Sequence, residues 1–556
     1  MAIPWNIRES ASQLFFTRYN IPQYEAWLAI AHVPHPDRSI LGAFINDALD
    51  PQEAARCFLR KTSTGNGSKV PPESSVSQFL SDWKVLIDKF RPRLATSLST
   101  KTKKLLYERD GGRCCLTCTP FKSDLDHNIN YAHMISPHVF AGPDLSEGAA
   151  LSEMLGAFLS RERLEIVRSF FGGAHCKQLE RLDNIWMLST QAFDAVKEGE
   201  VFLIVKSRAN HPDTTQMQTY YINTNWFKPQ HCGRLSLLTN KIHLENRSPQ
   251  LTPILNEELI GIHTRFSNSL AWMEAEKYMN TSLEDAKSKA EYLYQSTLPL
   301  LAPPFFPLFR KLWIALPSFV RASVYDGLLW VGARLYGPSL SMTVFKLPFG
   351  LYLRRGSPVL IPKYYIKART LDMVEQSTHI PAPRAIDVLE TPHFSYLLMT
   401  CVPGRPIGQM LHTMTDEQVK HAVTDLKRYI SELRKIPNTI TEFQICNSQG
   451  GGILDWRIPD TDFNKRAAKS HDIRHDIVFT PGDLNPRNIL AENGKITGIV
   501  DWEIAGWFPE YWEYTKAHYT VRSVIRWLAD VVDEVFEGYR NELVVENLLS
   551  NLLSPF

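Results

Sequence analysis

Thr480-Pro481-Gly482-Asp483-Leu484-Asn485-Pro486-Arg487-Asn488-Ile489-Leu490 is followed by Asn493-Gly494 and then by Gly498-Ile499-Val500-Asp501-Trp502-Glu503. Asp483 and Asn488 stand in a D-x-x-x-x-N spacing, and Asp501 ends the next apolar run. Asn and Gly both tolerate positive φ, so the spacing predicts a hairpin pairing Ile489 to Ala491 with Ile496 to Val500. With Asn493 and Gly494 as the two loop residues, Asn488 falls opposite Ile499 and Asp501 two residues beyond it, about 7 Å of strand. Phosphoryl transfer needs a carboxylate to orient and deprotonate the attacking hydroxyl, and an amide plus a second carboxylate to hold magnesium on nucleotide phosphates. Asp483, Asn488 and Asp501 would fill those roles. Asp, Asn, Gly and Pro also crowd ordinary turns; the catalytic reading rests on three conditions being met together.

Pro481 to Ile489, Ile499 to Glu503, and Trp507-Phe508-Pro509-Glu510-Tyr511-Trp512-Glu513 resemble the aminoglycoside-phosphotransferase family of kinase-like proteins, in the form common in filamentous fungi. The resemblance implies a two-lobed protein-kinase-like fold over 342–556, with ATP and Mg²⁺ as cofactors and a small hydroxyl-bearing molecule as acceptor. It also implies Asp483 as the catalytic residue, Asn488 and Asp501 as ligands of metal and nucleotide, and Arg354 on the phosphates. Thr343 to Arg354 should form two strands about a Pro-Phe-Gly turn, Tyr365 to Gln376 a helix, and Phe394 to Thr400 the strand leading to the nucleotide hinge. Thr415-Asp416-Glu417-Gln418 reads as a capping box that opens a helix striped by Val419, Ala422, Val423, Leu426 and Ile430.

The sequence departs from that family pattern in places. Pro481 stands where the family usually has a His. Arg354 replaces the phosphate-contacting Lys and keeps its charge, with a fork that can span two phosphate oxygens. The helix Glu expected to pair with that cation aligns with Lys367, which predicts like-charge repulsion, and Glu375 lies about 12 Å further along the helix. The segment from Arg457 to His475 is short for the family.

At 556 residues the chain exceeds one core, and two domains with connectors are expected. With 44% hydrophobic and 22% charged residues and a net charge of +2, nothing drives it globally towards nucleic acid or membrane. Lys101, Lys103 and Lys104 are followed by Glu108 and Asp110, which makes a solvated helix face rather than a nucleic-acid patch. The first thirty residues lack a secretory h-region, and the eight cysteines suggest free thiols, so a cytoplasmic or nuclear location is expected.

Residues 1–60 read as helical and 61–78 as a Gly/Ser/Pro-rich linker. A helix should follow, with Val76, Phe79, Leu80, Trp83, Leu86 and Ile87 on one face. Within 79–280, Tyr107 to Thr117, Tyr131-Ala132-His133-Met134-Ile135-Ser136-Pro137 and Leu182-Asp183-Asn184-Ile185-Trp186-Met187-Leu188-Ser189 look like a fungal HNH-endonuclease-type domain. The resemblance implies a ββα-metal-like α+β fold, with His133 as the water-activating His and Asn184 as the loop-holding Asn. Phe193 stands where the metal-binding His is expected and has no lone pair to offer. Cys115-x-x-Cys118 has half the spacing of a zinc site, with no second pair. Residues 281–341 form a connector. Its apolar run at 298–335 is broken by prolines and charges, so it predicts helices packed on the next domain rather than a membrane span or a membrane-surface helix.

The fold class expected is therefore α+β: an HNH-type domain followed by a two-lobed kinase-like fold. An ATP- and magnesium-dependent phosphotransferase is the first functional reading. Pro481, Lys367 and Phe193 point to a second, a pseudokinase fused to an inactive HNH fold and acting as a nucleotide-binding or interaction protein. A metal-dependent nuclease, the third, rests on His133 and Asn184.

Overall fold

Apolar positions three and four apart build most of the N-terminal half. Helices α1 (Pro22–Ile30), α3 (Pro51–Thr62) and α4 (Glu73–Lys89) each bury one side, whereas α2 (Asp37–Asn46) is buried all round from Arg38 to Ile45. In α4 the buried residues are Val76, Phe79, Leu80, Trp83, Leu86 and Ile87, the six that periodicity selects. The computed structural model describes residues 22–63, 72–172, 181–210, 216–225, 241–248, 252–289, 306–337, 339, 341–442, 445–452, 474–492, 494–520, 525–536, 538–543 and 545–546. Asn493, residues 64–71 of the expected linker, and most of the segment from Arg457 to His475 lie outside them.

The chain divides into two units, 3–281 and 282–556. In the first, the helices on both sides of 61–78 share a single core, with Trp27, Phe44 and Phe58 joined to Phe79 and Trp83, so the expected linker does not separate two bodies. Helix α5 (Thr100–Arg109) lies between β1 (Arg93–Leu94) and β2 (Ile129–His133). Helices α6 (Ala150–Leu159) and α7 (Arg161–Phe171) precede β3 (Ile185–Ser189). The three strands form an antiparallel sheet in the order β1-β2-β3. Ser189, whose hydroxyl accepts from Ala192 N, caps helix α8 (Thr190–Lys197). A second antiparallel sheet of β4 (Val201–Asn210), β5 (Gln216–Thr224) and β6 (Lys241–Glu245) leads into α9 (Glu257–Lys289).

The second unit opens with α10 (Phe306–Ile314) and α11 (Ser318–Tyr336). These lie on an antiparallel sheet of order β7-β8-β10-β9, made of β7 (Val344–Leu347), β8 (Leu351–Gly356), β9 (Ala385–Glu390) and β10 (Ser395–Thr400). Phe306 and Tyr325 join Leu347, Leu353, Ile386 and Leu398 in one core, and Arg321 and the Tyr325 hydroxyl both donate to Asp387. The packing expected of 298–335 is thus present in its described part, although Leu308, Leu312, Phe319, Trp330 and Leu335 stay exposed.

Helix α12 (Ile361–Ser377) crosses between β8 and β9. Helix α13 (Asp416–Leu433) has the expected capping box: Thr415 accepts from Gln418 N, and the Gln418 side chain accepts from Thr415 N. Strand β11 (Ile477–Thr480) pairs with β14 (Gly506–Pro509), and between them the hairpin of β12 (Ile489–Glu492) and β13 (Lys495–Ile499) projects. Helix α14 (Trp512–Thr520) follows.

The hairpin register differs from the expected one. Glu492 pairs with Lys495 and Ala491 with Ile496, but a bulge then makes Leu490 face Gly498 and Ile489 face Ile499. Thr497 is the extra residue, and its hydroxyl leaves the ladder to donate to Pro403 O at 2.6 Å. Val500 N consequently donates to Asn488 O, and Asp501 comes one residue nearer to Asn488 than simple counting places it.

Candidate active site

The turn that carries Asp483 is organised by a residue thirty positions downstream. Glu513, in the first turn of α14 and 1% exposed, accepts from the Thr480 hydroxyl at 2.7 Å, Gly482 N at 2.7 Å and Leu484 N at 2.5 Å. Burial pushes its carboxyl above the ordinary range, against the pull of those donors and of Lys516. Gly482 has φ +77°, and a Cβ there would lie 2.5 Å from Ile504 O, so the turn admits only glycine at this point. Pro481, at the position where a His was expected, is buried.

Beyond that anchor Asp483 is half-buried and Asn488 buried. Asn488 Nδ2 donates to Asp483 O at 3.1 Å and to Asp483 Oδ2 at 2.9 Å. Arg487, exposed, is 3.6 Å from the same Oδ2. The D-x-x-x-x-N spacing therefore closes on itself, with the amide steadying the carboxylate while its own Oδ1 faces no donor among the described residues.

Asp501 adopts the left-handed conformation, φ 66° and ψ 56°, which Asp tolerates better than most residues. The Trp502 indole, fully buried, donates to Ile499 O at 2.8 Å and holds the bend. The bend aims the Asp501 carboxylate at two cations: Lys367 Nζ donates to Oδ1 at 2.6 Å and Arg354 Nη2 to the same oxygen at 2.9 Å. Arg354 Nη1 donates to Glu503. Although burial raises the Asp501 carboxyl, the Lys367 and Arg354 charges outweigh it and hold it below the usual range. Burial draws the Lys367 ammonium below its ordinary value while Asp501 opposes the shift.

The repulsion expected between Lys367 and Arg354 is thus corrected. The two cations are bridged by Asp501, and Glu503 supplies the anion that the helix lacks. Glu375 is engaged elsewhere, with Arg384 at 3.0 Å. Sequence reasoning missed the roles of Lys367, Glu503 and Glu513, because their partners lie 134, 149 and 29 to 33 residues away. Glu503 and Glu513 fall within the stretches that carry the family resemblance, which was the local signal for them.

Asn488 and Asp501 are the residues that would hold a divalent cation. Asn488 retains an open oxygen, and Asp501 could offer Oδ2, which accepts no hydrogen bond among the described residues, but not an uncommitted carboxylate. Its Oδ1 already accepts from two cations, and Arg354, Lys367, Asp501 and Glu503 balance to zero before any metal enters. Among the described residues no cluster of three or more His, Cys, Asp or Glu side chains could hold a metal ion.

In the N-terminal unit His133 ends β2 opposite Ile185 and is 9% exposed, with no hydrogen-bond partner for Nδ1 among the described residues. Burial draws its pKa down to about 4. Asn184 receives Ile135 N on Oδ1 at 3.2 Å and returns Nδ2 to Ile135 O at 2.8 Å, so it clamps the loop after His133. Phe193 is 6% exposed and packed into the core through α8. Cys114, Cys115 and Cys118 are free thiols.

Comparison with known proteins bears on the second unit. An aminoglycoside 3'-phosphotransferase of Escherichia coli is 24% identical over 177 residues, 28% of this chain and 65% of that protein. One of Salmonella typhimurium is 24% identical over 175 residues, 27% of this chain and 64% of that protein. The chain therefore spans just under two thirds of the length of these relatives. Among solved structures, an aminoglycoside phosphotransferase of Streptomyces rimosus has a TM-score of 0.31 at 16% identity, covering 42% of this chain and 98% of that one. A macrolide 2'-phosphotransferase of Brachybacterium faecium has a TM-score of 0.28 at 14% identity, covering 41% and 90%. Residues 353–543 of this chain match the model of the Phosphotransferase enzyme family.

Proposed function

We propose that the C-terminal unit binds a nucleoside triphosphate and transfers its terminal phosphoryl group to a small hydroxyl-bearing molecule. The observation that carries this reading is the convergence of Asp483, Asn488 and Asp501 through short links: Arg354 bonds Asp501, the adjoining Val500 N donates to Asn488 O, and Asn488 Nδ2 donates to Asp483. Asp483 orients the acceptor hydroxyl and takes its proton, Asn488 holds the carboxylate in place, and Arg354 and Lys367 supply positive charge to the phosphates. Catalysis of this kind works by positioning and charge stabilisation, with no covalent intermediate on the protein. The family match over 353–543 supports the reaction class. The acceptor follows from the reaction class alone, because a fold carries chemistry further than specificity.

The closure of Asp501 on Lys367 and Arg354 favours a second reading, a nucleotide-binding protein without turnover. ADP release from ATP, measured across a panel of amino- and polyhydroxy acceptors, separates the two. Asp483→Asn should lower turnover by about 10² to 10⁴ with nucleotide affinity unchanged. Equal rates for wild type and variant would remove the phosphotransferase reading.

The N-terminal unit is proposed as an HNH-type ββα fold without nuclease chemistry. The reading is supported by the β2-β3-α8 order, the Asn184 clamp and the apolar Phe193.

A further inference from the structure

Lys367 is 3% exposed on its side chain and sits in the middle of α12, with its ammonium against the part-exposed carboxylate of Asp501, which is 31% exposed on its side chain. An ammonium carries three N–H donors, and a buried one normally satisfies them all. Here the one acceptor within reach among the described residues is Asp501 Oδ1, at 2.6 Å, the distance of a charge-assisted bond. Arg354 reaches the same oxygen, and Glu503 lies beside them. The left-handed bend at Asp501, locked by Trp502, holds the carboxylate against these two cations. The cluster is neutral, and the unspent donors of Lys367 and Arg354 are anion-seeking groups.

We infer that Lys367, with Arg354, takes the place at Asp501 that a divalent cation would hold, so that this site accepts a nucleoside polyphosphate as the free anion. The inference rests on the reading of this cluster as the nucleotide site. Phosphate oxygens meet a fixed ammonium and a fixed guanidinium, whose charges do for them what a bridging ion does elsewhere. A divalent ion arriving on the nucleotide would find Oδ1 already shared by Lys367 and Arg354 and the cluster already neutral.

Equilibrium binding of a fluorescent ATP analogue to the full chain, in EDTA and in excess Mg²⁺, tests this. Wild type should bind within about threefold in the two buffers. Lys367→Met, which keeps the side-chain length and removes the charge, should bind at least tenfold more weakly in EDTA than in Mg²⁺. If wild type itself needs Mg²⁺ by tenfold or more, the substitution of Lys367 for the ion is overturned while nucleotide binding stands. If wild type binds in neither buffer, both the inference and the phosphotransferase reading fail. Should Lys367→Met fail to fold, the wild-type comparison decides alone.

Discussion

Asp501 has a structural duty that an open metal ligand would not have. Asp501→Ala would leave Lys367 buried without its acceptor, and breaking a buried pair from one side costs about 3–5 kcal/mol. The variant should therefore unfold at lower denaturant even without nucleotide or metal, whereas removal of an unpaired carboxylate would leave stability equal or higher. Glu513 is the second such residue. Glu513→Ala removes the acceptor of three buried donors, at about 1–3 kcal/mol each, and Glu513→Gln, which keeps one acceptor oxygen, should fall between. Chemical denaturation of the three variants beside wild type measures both effects. Equal midpoints for Glu513→Ala and wild type would show that the Asp483 turn stands without its anchor.

The hairpin is the element on which the site turns, and it shows where sequence reading stops. Pairing of β12 with β13, the helix of Tyr365 to Gln376, the strand pair about Pro348-Phe349-Gly350 and the capping box at Thr415 were all legible, since each follows from neighbours within a few residues. The bulge at Leu490 and Ala491 was not, because it answers to a distant contact. Gly404, at φ +108°, lies so close to β13 that a Cβ would sit 2.1 Å from Thr497 Oγ1. Gly404→Ala should cost about 2 kcal/mol or more through positive φ and contact together. Adding Thr497→Ala should recover only the contact part, which urea midpoints of the single and double variants would read. Lys367 was misread for the same reason. Its charge was visible, but the carboxylate that neutralises it is 134 residues away.

At the scale of the whole molecule burial depresses histidines in both units, and His412 of the C-terminal unit is drawn down to about 4. Burial holds His263 in the N-terminal unit at about 4, with Nε2 donating to Val196 O at 3.1 Å, and holds His133 there too. A His depressed on folding binds fewer protons than in the unfolded chain between its folded value and 6.5, so its stabilisation is lost as pH falls through that window. At roughly 1.4 kcal/mol per pKa unit, the N-terminal unit should weaken by a few kcal/mol between pH 6.5 and pH 4. His263→Gln should flatten that slope in thermal unfolding. Among the described residues no helix is long and apolar enough to cross a membrane.

Hydrogen–deuterium exchange of the full chain with and without ATP tests the central claim most directly, because it locates the nucleotide without requiring turnover or an identified acceptor. The account predicts new protection in β8 around Arg354, in α12 around Lys367 and across 480–504, with none in β2, β3 or α8. Protection confined to the N-terminal unit, or none in 480–504 at saturating ATP, would contradict it.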